Sequence, residues 1–187
     1  MLRFPIIPSG SKEKGVRMSQ GQAAGRATVD YLTLAEIAER AKQRPTTGHW
    51  SQVVTDTSYE KGLKINFGIC KEAVGSRRLT MGRTIIPPHT ANERHVHLYA
   101  EAAMFIIRGT MVLLIGPDAE RILCPPGTFV FSPEGVIHGV ANPSRKEEVE
   151  LVFAYGGVPN KEAAGTTFVK EEGAYPPPGW DAGFENK

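Results

Sequence analysis

Cysteine is scarce in this chain, two in 187 residues, so at most one disulfide could form and a hydrophobic core has to hold the fold. Nothing in the spacing of Cys70 and Cys124 demands that they pair, and they read as free, buried thiols of a reducing compartment. Long apolar runs are lacking as well. None approaches the roughly 18 to 20 residues of a membrane span. The apolar start, residues 1–8, is too short for a secretory signal, and no small-residue cleavage site follows it. These absences predict a cytoplasmic protein with no membrane partner. Nor does one sign of charge dominate: 22 basic against 20 acidic residues leave a net charge of +2, which offers no electrostatic footprint for nucleic acid. The basic clusters at 76–78 and 144–146 read as solvated turns. There is no internal repeat, and 187 residues suffice for one domain with appendages.

Composition divides what is there into three stretches. Residues 1–30 are rich in Ser, Gly, Lys and Gln and read as a flexible tail, within which Met18 is an alternative start. Residues 31–170 read as the single domain. It opens on a helix over 33–43, in which Thr33 and Glu36 form a capping box and Leu34, Ile37, Ala38 and Ala41 share one face. One helix is too few for a helix-turn-helix, a second argument against a nucleic-acid partner. From Trp50 onward short runs separated by Gly and Pro predict strands at 51–55, 63–70, 79–86, 102–108, 110–115, 128–132, 136–141 and 149–155. Gly116 to Ala119 forms a turn between strands. Such spacing predicts an all-β sandwich or barrel. Residues 171–187 form a Pro-rich extension that cannot continue a sheet, because its prolines donate no ladder hydrogen bond. Tyr175 and Trp180 in it are predicted to pack on the barrel itself or at a dimer contact.

Histidine is also rare, five in all, yet three fall into one pattern. His95 and His97 are two apart, so on a strand they project from one face. His138 follows inside Gly127-x5-Pro133-x-Gly135-x2-His138-x3-Asn142, where the glycines and proline turn the chain so that a second strand delivers the third imidazole. Three imidazoles converging from strands suit a divalent metal.

These segments resemble the paired signature of the cupin superfamily. His95, His97, Glu101 and Gly109 correspond to the first motif; Gly127, Pro133, Gly135, His138 and Asn142 match the second at every position. The resemblance spans roughly 79–155. It implies a double-stranded β-helix, or jelly-roll, barrel with the N-terminal helix beside it, one divalent ion per chain, a small-molecule substrate and a homodimer. Fe(II) or Mn(II) is the ion the resemblance favours, with Ni, Co or Zn as alternatives. The metal ligands it implies are His95, His97, His138 and Glu101, and Glu101 doubles as the catalytic group. Two arrangements stay open. Glu101 reaches the ion from a turn or a bulge, or it faces outward, because the family's glutamate aligns with Ala102 and a one-residue offset on a strand reverses the side chain, and the site is then three-histidine.

The alternating residues of 102–107 and 149–155 predict a largely apolar interior. Tyr99, Met104, Phe105, Phe153 and Tyr155 are the candidate substrate-binding residues. An apolar or aromatic molecule that chelates through oxygen suits such a pocket better than a sugar phosphate, which requires a basic cluster. The function expected is a mononuclear non-haem iron dioxygenase. A Lewis-acid lyase or isomerase and a non-catalytic binding protein are the alternatives. Beside the motif, Arg94 is a candidate for steering an anionic substrate, Glu93 a candidate outer group or partner for Arg94, and His89 an exposed loop residue.

Overall fold

The computed structural model describes residues 32–36 and 45–184. The chain divides into two units, 1–44 and 45–187. In the first, Thr33 and Glu36 form the predicted capping box: the Glu36 carboxylate accepts from the Thr33 backbone N–H at 2.8 Å, and the Thr33 hydroxyl accepts from the Glu36 N–H at 3.2 Å. A helix opens at 34–36. The remainder of the predicted helix 33–43, the tail 1–30 and Met18 lie outside the described residues.

The second unit is built from β1 (Thr55–Asp56), β2 (Lys64–Ile69), β3 (Leu79–Ile86), β4 (Thr90–Ala91), β5 (His95–His97), β6 (Glu101–Arg108), β7 (Met111–Ile115), β8 (Glu120–Cys124), β9 (Phe129–Ser132), β10 (His138–Asn142), β11 (Val149–Gly156) and β12 (Thr166–Phe168). They form two antiparallel sheets. One runs β1-β2-β3-β11-β6-β9, the other β12-β5-β10-β7-β8 with β4 beside β10. This is the jelly-roll architecture the alternation and the motifs predict.

Each inner face follows from the period-2 rule. On β6, Ala102, Met104 and Ile106 point inward, and on β11 Val149, Leu151, Phe153 and Tyr155 do the same. They meet Leu63, Ile65, Met111, Leu113 and Val140 in one core. Gly82 lies opposite Phe153 in the β3–β11 ladder, and a Cβ there would stand 2.6 Å from the Phe153 ring, so only glycine lets the ring lie across the strand. Gly109 has φ +74° and approaches the Glu148 carbonyl too closely for a side chain. That double constraint accounts for glycine between β6 and β7.

The predicted strand at 51–55 is largely a 3-10 turn, Trp50–Gln52, capped by His49, and pairing starts only at Thr55. β8 was not predicted. It is an edge strand on which adjacent Ile122 and Leu123 are both half exposed, so alternation gives no signal. The predicted strand 136–141 begins at His138, and the turn 116–119 closes with Ala119 N–H donating to the Gly116 carbonyl. Cys70 and Cys124 are both buried and free.

The Pro-rich extension packs on its own barrel. Tyr175 and Trp180 lie against Val112, Leu114, Ala119 and Ala141, the outer face of the second sheet. Arg121 fastens them by donating to the Trp180 and Ala182 carbonyls at 2.8 and 2.7 Å. Among the described residues, no helix is long and apolar enough to cross a membrane.

Candidate metal centre

β5 and β10 pair antiparallel with His95 directly opposite His138. Residues opposite one another in such a ladder share a face, and His97, two along from His95, shares it too. All three side chains therefore point into the barrel, where each residue is 2% exposed. Their ring centroids stand 4.6 to 5.1 Å apart, and one potential ligand atom from each lies within 4.8 Å of the other two.

The far side of each ring is already engaged. His95 Nδ1 is 3.0 Å from the Glu93 carbonyl, and His138 Nδ1 is 2.9 Å from the Val136 carbonyl. A carbonyl only accepts, so both rings carry their proton on Nδ1 and a lone pair on Nε2. His97 Nδ1 is 3.0 Å from the Thr166 hydroxyl, which β12 places opposite His97 and which lies 2.6 Å from the Tyr59 hydroxyl. Such outer partners orient metal-binding imidazoles. Burial, reinforced by the neighbouring imidazoles, pushes His97 down to about 3. Burial and the His95 ring likewise bring His138 to about 4, and burial lowers His95. At neutral pH the three rings are neutral, the state a metal requires.

One carboxylate joins them, and sequence reasoning did not find it. Glu60, from the turn between β1 and β2, is buried, with Oε1 4.0 Å from His95 Nε2. Its Oε2 accepts from Asn92 Nδ2 at 2.5 Å, and the Asn92 side-chain oxygen accepts from the Val140 N–H at 2.7 Å. Burial raises the Glu60 pKa, opposed chiefly by the Asn92 hydrogen bond. Tyr155 lines the same cavity, its pKa raised well above normal by burial and then by the Glu60 charge. No local pattern reveals Glu60, Asn92 or Thr166; each is brought in by a separate turn or strand.

The expected carboxylate, Glu101, does not enter the site. It is exposed, the first of the outward residues of β6, and the inward neighbour is Ala102. No bulge re-aims it, because the β6–β11 ladder stays regular from Glu101 to Ile106. Met104, Phe153 and Tyr155 line the cavity as expected. Two others do not. Tyr99 is 65% exposed in the loop after β5, and Phe105 faces outward, 4.6 Å from the Phe129 ring. Arg94 is also turned away from the interior: it is buried in a bidentate pair with Glu171 on the opposite face, so it cannot steer a substrate. Glu93 is exposed and serves through its carbonyl rather than its carboxylate. His89 is a half-exposed loop residue stacked near Trp180.

Between the polar cluster and an apolar wall of Leu63, Met104, Leu151 and Phe153 lies a cavity of about 30 Å³. Glu60 is the only carboxylate among its lining residues, and no Lys or Arg lines it. Three neutral imidazoles whose Nδ1 atoms are held by protein partners, beside one carboxylate, fit a divalent transition-metal ion.

A family model for the cupin domain matches residues 82–155. No curated protein is significantly similar in sequence. Solved structures share the fold. The polyketide cyclase RemF from Streptomyces resistomycificus is 17% identical with a TM-score of 0.57, covering 68% of this chain and 87% of its own. An oxalate oxidase in complex with the substrate analogue glycolate is 19% identical at 0.54, covering 70% of this chain and 67% of its own. A Klebsiella pneumoniae protein with a double-stranded β-helix domain is 14% identical at 0.53, covering 68% of this chain and 100% of its own. At these identities the likeness is one of fold.

Proposed function

We propose, from the premise that this chain belongs to the cupin superfamily, that it is a mononuclear metal-dependent enzyme and, more narrowly, an iron dioxygenase acting on a small oxygen-chelating substrate. The observation that carries the reading is the convergence of three imidazoles whose Nδ1 atoms are committed to protein partners. His95, His97 and His138 hold the ion. Fe(II) or Mn(II) is favoured, and Ni, Co or Zn satisfies the same donors. A bound ion supplies a Lewis acid and, as iron, the one-electron chemistry that dioxygen requires.

The protein's own part is to shape a dry site. Leu63, Met104, Leu151 and Phe153 exclude water from one side, which strengthens every electrostatic contact inside. A space of about 30 Å³ is room for one or two waters. The substrate is therefore small, and an aromatic one enters only if Phe153 or Tyr155 gives way. That tightness is also what favours the second reading, a Lewis-acid lyase or isomerase, or a binding protein, in which no room for dioxygen is needed. Two free, buried thiols are in keeping with a cytoplasmic setting. A homodimer completes the proposal, and light scattering at micromolar concentration checks it.

An oxygen electrode separates the readings. Iron-loaded protein is expected to consume oxygen when given small diketones or phenolic ketones. Stoichiometric metal without substrate-dependent uptake would replace the dioxygenase by the second reading.

A further inference from the structure

The paired motif leaves the site without a carboxylate of its own, since Glu101 points outward and Ala102 presents a methyl group to the interior. A different residue stands where one is needed. Glu60 is 7% exposed, lines the same cavity as the three imidazoles and brings Oε1 to 4.0 Å from His95 Nε2. Its turn is fixed by the Leu63 N–H, which donates to the Glu60 carbonyl at 3.1 Å.

The orientation of the carboxylate is set by Asn92. The Asn92 backbone N–H donates to the Val140 carbonyl at 3.1 Å while its side-chain oxygen accepts from the Val140 N–H at 2.7 Å. With the amide oxygen so engaged, its NH2 group must face Glu60 and hold Oε2 at 2.5 Å. Oε1 is thereby presented to His95, one of the three converging imidazoles, 4.0 Å from its Nε2. A buried carboxylate without a cation is costly. No Lys or Arg lines the cavity to balance it, and Arg94, the buried cation among the described residues, is spent on Glu171.

We infer that Glu60, from a turn outside the paired motif, supplies the carboxylate ligand of this centre in place of the residue on β6. The inference rests on the three-histidine metal site proposed above and adds a fourth ligand to it. It makes the site a composite in which the barrel strands give the nitrogens and the β1–β2 turn gives the charge.

Cobalt(II) is a suitable probe, because its visible spectrum reports the ligand set directly. The experiment titrates Co(II) into metal-free wild type, Glu60→Gln, Glu101→Gln and His97→Ala, following spectrum and affinity, with thermal unfolding of each metal-free protein alongside. Gln keeps an acceptor for Asn92, so the turn is retained. Glu60→Gln is expected to weaken Co(II) binding by more than the about ten- to hundred-fold that loss of an outer hydrogen bond costs, with an altered spectrum and with metal-free stability equal to or above wild type. Glu101→Gln is expected to match wild type. Wild-type affinity and spectrum in Glu60→Gln, with binding lost in His97→Ala, would overturn the Glu60 assignment and leave the three-histidine site standing. No Co(II) uptake by wild type would overturn both.

Discussion

Two buried polar clusters sit back to back, one on each face of the chain at residues 94 and 95, and they are finished to different degrees. On the outer side, Arg94 donates through Nε and Nη2 to the two oxygens of Glu171 at 2.9 and 2.6 Å, and through Nη1 to the Gly116 and Pro117 carbonyls. The Tyr175 ring covers it. Arg94 Nε, Nη1 and Nη2 each reach an acceptor, so its charge is met within the protein, although the hydroxyl of the covering Tyr175 is buried without a hydrogen-bond partner. On the inner side, three imidazoles are held through their Nδ1 atoms and converge on one another, with Glu60 beside His95. A charge met within the protein holds a fold together, whereas converging imidazoles could hold a metal ion.

Breaking the closed cluster should cost stability and spare metal binding. Arg94→Ala leaves Glu171 without its partner and releases the segment carrying Tyr175. Loss of one member of a buried pair costs about 3 to 5 kcal/mol, and because the Glu171 side chain keeps 24% exposure, the loss should fall near 3 kcal/mol. Urea unfolding measures it, and Co(II) affinity of the folded variant should stay within a factor of a few of wild type. Equal losses in both assays would mean that the two clusters are not independent.

The open cluster should answer in the opposite way. Thr166→Val removes the hydroxyl that orients His97 while keeping the shape of β12. Affinity for the ion should drop by about ten- to a hundred-fold, the usual cost of losing an outer hydrogen bond to a metal-bound imidazole, with little change in unfolding midpoint. Isothermal titration with Zn(II) or Co(II) decides it.

Acid sharpens the contrast least strongly. His97 and His138 are lowered to about 3 and about 4, and His95 is lowered too. The unfolded chain therefore takes up protons below about pH 6.5 that the folded one refuses. Stability of the metal-free protein should fall as pH drops from about 6.5 through about 4, by at most about 1.4 kcal/mol per pH unit for each histidine. Glu171, its carboxyl lowered by the hydrogen bond from Arg94, contributes stability that is lost only at lower pH, as the medium passes through its depressed pKa. Urea midpoints at pH 7, 6 and 5 should thus decline before the outer pair titrates. Glu60, whose pKa burial raises, works in the opposite sense, so the profile is read in Glu60→Gln, where a flat line from pH 7 to 5 would mean that the imidazoles take up protons in the folded chain as in the unfolded one.

The fold was legible in the chain because alternation on β6 and β11 and the turns at Gly127 and Gly135 are local signals. The capping box of Thr33 and Glu36 was legible for the same reason. The three histidines could be grouped because two share a strand and the third follows a motif of fixed spacing. Of the two arrangements open for Glu101, the structure has the outward one, as parity implies: it sits one residue before Ala102, whose inward set continues through Met104 and Ile106. The same test would have turned Phe105 outward. Glu60 and Asn92 were out of reach, since 32 residues separate them and only the closure of the barrel brings both to His95. Arg94 looked available beside the motif because its partner, Glu171, lies 77 residues away.

The measurement that bears most directly on this account is metal stoichiometry after dialysis against excess Co(II), for wild type and His97→Ala side by side. About one ion per wild-type chain is expected, with a variant that stays folded but retains none. Full occupancy in the variant, or no ion in the folded wild type, would contradict it.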